Sequence, residues 1–548
     1  MYPGALTSLM PGMDDWRPYA AAQLHGGLDL CRAGSPAEAL VQFEAGIAAV
    51  PSAADAQDIL ADLHYAAGRA ALDVNAIETA GSHYLQAVRF GPGRSAAWSD
   101  LGDLYLRLDR PADAFRFYSQ AVICDSGNHL ARVRTALALA RLERGQIARA
   151  LIAEVPADAF SDPALAREAG RLLAMLGDAE AARPHLEHAL SHDAHDTDTL
   201  YWLASVEQNA GNLSAAESAY ARALELAPFI VKPAAKSPPD FTVLALYAPF
   251  AGNTPTEYIF EAAPFEVRTV ALVAGVAYDA ADLARGADLL VNLVSDADQG
   301  AMLLPKALVF AERTGLPVIN HPSRIGLTTR ELTADRLAGL ADVRLPLAIR
   351  CSAGTQAEAI VAAAEASFRW PLLARPAGTH GGDDFDKLAS PEELAGFVAR
   401  HGDSDIYLIE FVDYRSDDGN FRKYRFLFVE DEIFPYHLAI GSDWKVHHVH
   451  TEMDHTPWMQ EEEAAFLAAP STAFEPRHFS ALSAIRTAFG LDYFGIDCGL
   501  DRDGNLLVFE VNASMLVHQK NDTMPYKVPH VAAIREAFGA MLARRVRR

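Results

Sequence analysis

From its amino end the chain sets small residues against large ones at a fixed interval. Ala80, Tyr84 and Ala87 recur as Ala114, Tyr118 and Ala121, then as Ala148, Ile152 and Val155, as Ala182, Leu186 and Ala189, and as Ala216, Tyr220 and Ala223, each set 34 residues after the last. Residues three and four apart share a helix face, so the pattern predicts helices that close tightly on a partner while the large residue fills the gap. Pro92 and Pro228 close their units at one phase, and an earlier copy with Gly27, Ala39, Phe43, Gly46 and Pro51 is offset by about seven residues around Ser52 to Asp58. Six helix pairs are expected over 20–230. The segment VKPAAKSPPD, 231–240, is rich in proline and reads as a semi-rigid linker. The short apolar runs FTVLALY, VRTVALV, ADLLVNLV and LPVIN then predict a small parallel α/β unit over 241–327. No Gly-x-Gly-x-x-Gly follows its first strand, which argues against dinucleotide binding.

From 328 on the pattern turns to alternation. Pro371 to Ala374 reads as a strand entering a glycine-rich turn, and DIYLIEFVDYRSDDGNFRKYRFLFVEDEIFPYHLAI, 405–440, as three strands joined by a polar loop and a Glu430-Asp431 turn. Residues 493–514, YFGIDCGLDRDGNLLVFEVNAS, predict a hairpin about a two-residue Asp503-Gly504 turn. Residue 502 then faces 505 and Asp497 faces Glu510, with Asn512 on the same side. Ile496, Cys498, Leu500, Leu507, Phe509 and Val511 turn to the other, apolar side. Opposed carboxylates repel unless a cation lies between them. The face therefore holds either lysine or arginine partners or a hard cation such as Mg²⁺. Without that cation, removing one carboxylate is expected to raise the melting temperature.

The spacing of Asp497, Glu510 and Asn512, closing in Asn-Ala-Ser, resembles the metal-binding end of the ATP-grasp superfamily, which includes glutathione synthetase, D-alanine:D-alanine ligase and the ribosomal-protein glutamate ligase. The likeness runs over roughly 240–548. It implies that Asp497, Glu510 and Asn512 hold two Mg²⁺ ions, with Mn²⁺ an alternative, bridging the phosphates of ATP. It further implies that Arg375, standing where the family has lysine, and Gly378, Thr379, His380, Gly381 and Gly382 close over those phosphates. Asp335-Arg336 stands in the helix where the family has Asp-Lys, and arginine can fork across two phosphate oxygens, which makes Arg336 a second phosphate contact. Glu410, Phe411 and Val412 would hold adenine, with Asp413 near the ribose. Arg425 and Lys445 are the expected catalytic cations; Trp444 and His447 face substrate, and Ser514 and His518 meet the acceptor. The histidines at 447, 448, 450 and 455 do not predict zinc, since no cysteine is nearby and 447 and 450 point to opposite faces of an extended segment.

Trp98, Leu101, Gly102, Tyr105, Ala114, Tyr118 and Ala121 resemble the tetratricopeptide repeat, although the units at 129–196 lack its aromatic residues. The expected fold class is therefore α plus α/β: an all-α tetratricopeptide solenoid, a small α/β unit, and an α+β ATP-grasp domain over 328–548. The two resemblances together imply an ATP-dependent ligase that joins a small-molecule or peptide carboxylate to an amine through an acyl phosphate. The solenoid's concave face would bind a peptide or protein, or serve only as a scaffold. The two arginine replacements leave open a non-catalytic ATP-binding adaptor or sensor, and a kinase of the same superfamily is a third reading.

Charge and cysteine content narrow the partners. A formal net charge of -25 over 548 residues disfavours nucleic-acid binding, which needs a basic surface. Four scattered cysteines give neither a disulfide framework nor a zinc spacing. The opening MYPGALTSLMPGMDD has no charged leader followed by a long apolar core, and no run reaches membrane-spanning length, so a cytoplasmic protein with no membrane partner is expected.

Overall fold

The structure, a computed structural model, describes residues 16–547 apart from 52–53, 109, 250–251, 380–383, 447–450 and 518–522. The chain divides into two compact units, one up to Ala219 and one from Tyr220 on. In the first, helices follow one another as pairs: Arg17–Arg32 with Pro36–Ala49, Gln57–Asp73 with Ile77–Phe90, Ser95–Arg107 with Pro111–Cys124, His129–Arg141 with Gly145–Ala153, and Pro163–Met175 with Ala179–His192. Thr197–Asn209 follows, and the helix Leu213–Leu226 spans the division between the units. Four of the pairs close with a glycine of one helix against a large side chain of the next. A Cβ added at Gly102 would lie 2.4 Å from the Tyr118 ring, at Gly68 2.6 Å from Tyr84, at Gly27 2.3 Å from Phe43, and at Gly170 2.6 Å from Leu186. The large residue of one helix thus rests on bare backbone of its partner, and Tyr84, Tyr118 and Phe43 are buried as a result.

Among the described residues the second unit holds three sheets. The first contains β1 (Ile230–Lys232), β2 (Thr242–Tyr247), β3 (Glu266–Ala271), β4 (Leu289–Asn292) and β5 (Val318–Ile319) in the order β1-β3-β2-β4-β5. The four apolar runs pair in parallel, while β1 joins the edge antiparallel. The segment expected as linker thus begins as an edge strand: β3 leaves backbone groups open there, and Pro233 ends the pairing. After β6 (Val343–Arg344) come β7 (Ala348–Cys351), β8 (Leu372–Pro376), β9 (Asp386–Leu388) and β10 (Ile406–Glu410), four of which form a sheet ordered β7-β10-β8-β9. The third sheet, β12-β11-β13-β14-β6, adds β11 (Phe421–Val429), β12 (Glu432–Gly441), β13 (Tyr493–Leu500) and β14 (Leu506–Asn512). β11 and β12 turn at Glu430 and Asp431 as expected, with Val429 opposite Glu432.

The β13–β14 hairpin reaches the expected pairing by an unexpected route. Its connection is the five-residue stretch 501–505, because Leu500 faces Leu506. Asp501 holds this loop, accepting from the backbone N–H of Asp503 at 3.0 Å and of Asn505 at 2.8 Å. That register would set Asp497 one residue off Glu510. A bulge at Phe509 supplies the missing residue, and Asp497 faces Glu510 after all. The bulge also reassigns the near half of the hairpin: Leu506 and Val508, rather than Leu507 and Phe509, share the apolar side with Leu500 and Cys498. On that side Phe428 stacks on Phe494 at 4.4 Å between centroids.

Two glycines test this packing from opposite directions. Gly102→Val should lower the melting temperature of the first unit, since overpacking a closed helix pair costs about 1–3 kcal/mol. Gly539→Ala should be neutral or mildly stabilising, because nothing lies within 4 Å of its added Cβ. Calorimetry of the full chain reads both.

Candidate functional site

One face of the third sheet carries a row of ionisable side chains from strand to strand. His437 of β12 is opposite Arg425 of β11, Arg425 is opposite Asp497 of β13, and Asp497 is opposite Glu510 of β14. Arg425 Nε and Nη2 donate to the two Asp497 oxygens at 2.6 and 3.0 Å, and Lys423 Nζ is 3.0 Å from Oδ2. Arg330 comes from the first turn of the helix Arg330–Leu337 and donates to Glu510 Oε2 at 2.8 Å and to the Phe509 carbonyl at 2.9 Å. The cations demanded by two opposed carboxylates are therefore protein side chains. Burial alone would raise the Asp497 carboxyl, but Arg425 and Lys423 hold it well below the usual range. Arg330 does the same for Glu510 against burial and against Asp497.

Behind Arg425 the row continues into a buried cluster. Glu463 lies on the helix Pro457–Ala468, is fully buried, and bonds His437 Nδ1, while Lys527 Nζ lies 2.9 Å from its Oε1 and the Tyr526 hydroxyl donates to Oε2 at 2.7 Å. Burial pushes the His437 imidazole down to about 4, so it is neutral at pH 7. Burial opposes ionisation of Glu463, yet His437, Lys527 and Tyr526 outweigh it and bring the carboxyl to about 2.

Beside the row opens a cleft of about 170 Å³. One part is an apolar slot of Leu373, Phe385, Ile409, Phe411, Val412 and Trp444; the other is the charged floor of Arg330, Arg375, Lys423, Arg425, Asp497 and Glu510. Arg375, at the end of β8, is 6% exposed, and burial followed by the repulsion of Arg330 lowers its guanidinium to about 10. It donates to Thr379 Oγ at 3.0 Å and to the Thr379 carbonyl, and sits 5.2 Å from the Phe385 ring. Gly378 stands next to it at φ +74, with its carbonyl accepting from Gln299 at 2.7 Å. Four cations against two carboxylates leave the floor positive.

The structure brings Arg375, Arg425, Phe411, Val412, Glu410, Trp444, Lys445, Asp497 and Glu510 to this one cleft. Trp444 packs edge-on against Phe385 and Phe411, at 5.2 and 6.3 Å. The Glu410 carboxylate takes Arg344 at 3.2 Å and the Leu347 N–H at 3.1 Å. Asn512 lines a neighbouring cavity with Arg330, Arg375 and Glu510, and Ser514 N and Oγ both donate to Asn512 Oδ1 at 2.7 Å. Two of the expected residues do not line this cleft. Arg336 lies outside the cleft lining and donates to the Ala488 carbonyl at 2.6 Å, because six residues of helix turn it away from Arg330. Asp413 is also outside, held by Arg415 at 2.6 Å and Arg502 at 2.9 Å, which lower its carboxyl to about 2. His380, Gly381, Gly382, His447 and His518 lie outside the described residues. Arg330 and Lys423 are the cations missed in the sequence. Lys423 shares its strand face with Arg425 two residues on, a signal present in KYR; Arg330 carried none, since only the fold brings its helix to β14.

The oxygen set fits magnesium in type. Among the described residues no three acidic, histidine or cysteine side chains converge to hold a metal unaided, but Mg²⁺ is usually held by one or two carboxylates together with substrate phosphates. Glu510 and the Asn512 amide suit that arrangement, whereas both Asp497 oxygens already accept from Arg425 and Lys423.

Tetratricopeptide-repeat family models match residues 65–129 and 173–230, so the N-terminal helices carry tetratricopeptide repeats. No curated protein matches the chain. Among solved structures, the VanG D-Ala:D-Ser ligase of Enterococcus faecalis is 13% identical, with TM-score 0.33, over 54% of this chain and 99% of that one. A RimK domain ATP-grasp protein of Sphaerobacter thermophilus is 16% identical, with TM-score 0.35, over 56% and 99%. The D-cycloserine synthetase DcsG is 17% identical, with TM-score 0.36, over 56% and 99%.

The paired carboxylate reverses the stability effect expected of it. Asp497→Asn should lower the melting temperature of the metal-free protein, since removing one partner of a buried ion pair costs about 3–5 kcal/mol. The buried cluster adds a pH signature. The unfolded chain takes up the His437 proton near pH 6.5 and the folded chain near 4, so this histidine's share of stability is full above 6.5 and lost as pH falls toward 4. His437→Gln should therefore lessen the drop in melting temperature between pH 7 and pH 4.5.

Proposed function

We propose that residues 328–548 form an ATP-grasp domain that joins a carboxylate to an amine at the expense of ATP. The observation that carries the reading is the cleft itself: an apolar slot lined by aromatic rings in the same cleft as a floor on which Arg330, Arg375, Lys423 and Arg425 outnumber Asp497 and Glu510. A nucleotide polyphosphate supplies the missing negative charge. The base would lie among Phe385, Phe411 and Trp444, and the backbone of Phe411 and Val412 offers it hydrogen bonds. Arginine at 375 forks across phosphate oxygens where a lysine would meet only one.

Glu510 and Asn512, with Asp497 once it is shared with its arginine, would hold Mg²⁺, which when bound neutralises charge on the transferred phosphoryl group. In the reaction a substrate carboxylate oxygen attacks the γ-phosphorus and the bond to ADP breaks. The amine nitrogen then attacks the acyl carbon, phosphate leaves with the carbon–oxygen bond electrons, and the amine proton passes to solvent. Arg375 and Arg425 would orient the phosphoryl oxygens; no protein nucleophile is needed. The tetratricopeptide repeats would recognise a peptide or protein partner along their helix faces.

ADP release tests the proposal. Screened over amino acids, peptides and small carboxylates, ADP should appear only when a carboxylate and an amine are both present. Glu510→Gln should abolish it, and Arg375→Ala should weaken ATP binding by about 1.5–3 kcal/mol, with Arg375→Lys tolerated better. Turnover that survives Glu510→Gln, or ADP release with a hydroxyl substrate and no amine, would sink the ligase reading.

A further inference from the structure

The fifth helix pair of the first unit ends in imidazoles set at helical spacing. In HLEHALSHDAH, residues 185–195, four of the chain's histidines lie close together. His185, His188 and His192 belong to the helix Ala179–His192, and steps of three and four residues put them on one face. His188 and His192 meet edge to face, with ring centroids 5.0 Å apart. His185 is turned aside, its ring against Phe160 at 4.7 Å. Two imidazoles one helical turn apart are the donors with which a helix chelates a transition metal.

A second observation concerns protons. His188 Nε2 lies 3.1 Å from the Ser161 carbonyl oxygen, an atom that can only accept, so Nε2 carries the hydrogen and donates it. The lone pair of His188 is then on Nδ1. Metal-ligating histidines are held in this way, the other ring nitrogen donating to a backbone carbonyl or a carboxylate that fixes tautomer and orientation. His192 is exposed, which gives a cation and its waters access to the pair. It also ends its helix, where unsatisfied carbonyls favour positive charge, and Asp193 follows it directly.

This repeat has a use for a clamp. It falls in the stretch 129–196 that lacks the aromatic residues of the pattern, so Gly170 receives Leu186 where Gly102 receives Tyr118. We propose that His188 and His192 chelate a divalent transition-metal ion of the class that imidazole favours, zinc, nickel or copper, with water in the remaining positions. Among the described residues no group of three acidic, histidine or cysteine side chains converges here, so the protein supplies two ligands and the ion exchanges with solvent. Binding ties the last two turns of the helix together and stabilises the first unit. Magnesium, which takes oxygen ligands, is not held there. The site is independent of the ligase reading.

Calorimetric titration of the full chain with NiCl₂, and thermal melts with and without it, provide the test. His188→Asn and His192→Asn should each lower the number of nickel ions bound by one and remove their share of the rise in melting temperature. His25→Asn, on the helix Arg17–Arg32, should change neither, and MgCl₂ should give no heat that His192→Asn abolishes. Because His192 is exposed, its replacement leaves the fold intact and separates loss of the metal from loss of the Ser161 bond. Nickel binding that is unchanged in His192→Asn, an unmodified chain that binds no nickel, or a magnesium signal lost in the same variant overturns the inference.

Discussion

The Arg425–Asp497 pair is the constraint around which the second unit is arranged. Both residues sit in the middle of a sheet, and the Asp497 side chain is 4% exposed. Burying an ion in that position costs several kcal/mol unless its hydrogen-bonding capacity is met. Meeting it takes two guanidinium N–H groups and the Lys423 ammonium on one side, then Arg330 on Glu510 on the other. The helix Pro457–Ala468 and Lys527 complete the neighbouring His437 and Glu463. Part of one sheet face thereby carries charge, its other part packing Leu427, Val429 and Tyr493 into an apolar core, while the opposite face stacks Phe428 on Phe494 and packs Phe426 on Phe466 and Phe474.

That division of faces sets the polarity of the site. Arg375 enters from β8 and Arg330 from a helix, so the floor gathers positive charge from three separate elements while the turn after β4 contributes acids. Glu510, Arg330 and Arg375 line both cavities. In the first unit the governing constraint is steric instead. Bare backbone at Gly27, Gly68, Gly102 and Gly170 lets a large side chain of the partner helix close the pair, and this needs no charge at all.

Local pattern made much of this visible in advance. The helix pairs, the parallel strands of the first sheet, the Glu430-Asp431 turn and the opposition of Asp497 to Glu510 all follow from periods of 34 and 2 and from turn chemistry, which act between residues near in sequence or repeated at a fixed interval. The hairpin shows the limit of that reasoning. Its turn is five residues long because Asp501 can bond two backbone N–H groups within it, and only the bulge at Phe509 restores the pairing that a two-residue turn would have produced.

By itself the sequence determined which residue types were present to make a charged sheet face and a tightly closed helix array, since periodicity and side-chain chemistry are local properties. The tertiary structure alone decided which charges meet. Arg330 and Glu510 are separated by 180 residues, and Arg425 and Asp497 by 72, so no spacing rule could pair them. It also turned Arg336 to the Ala488 carbonyl and Asp413 to Arg415 and Arg502, because a long charged side chain takes the partner that folding brings within reach rather than the one its motif suggests.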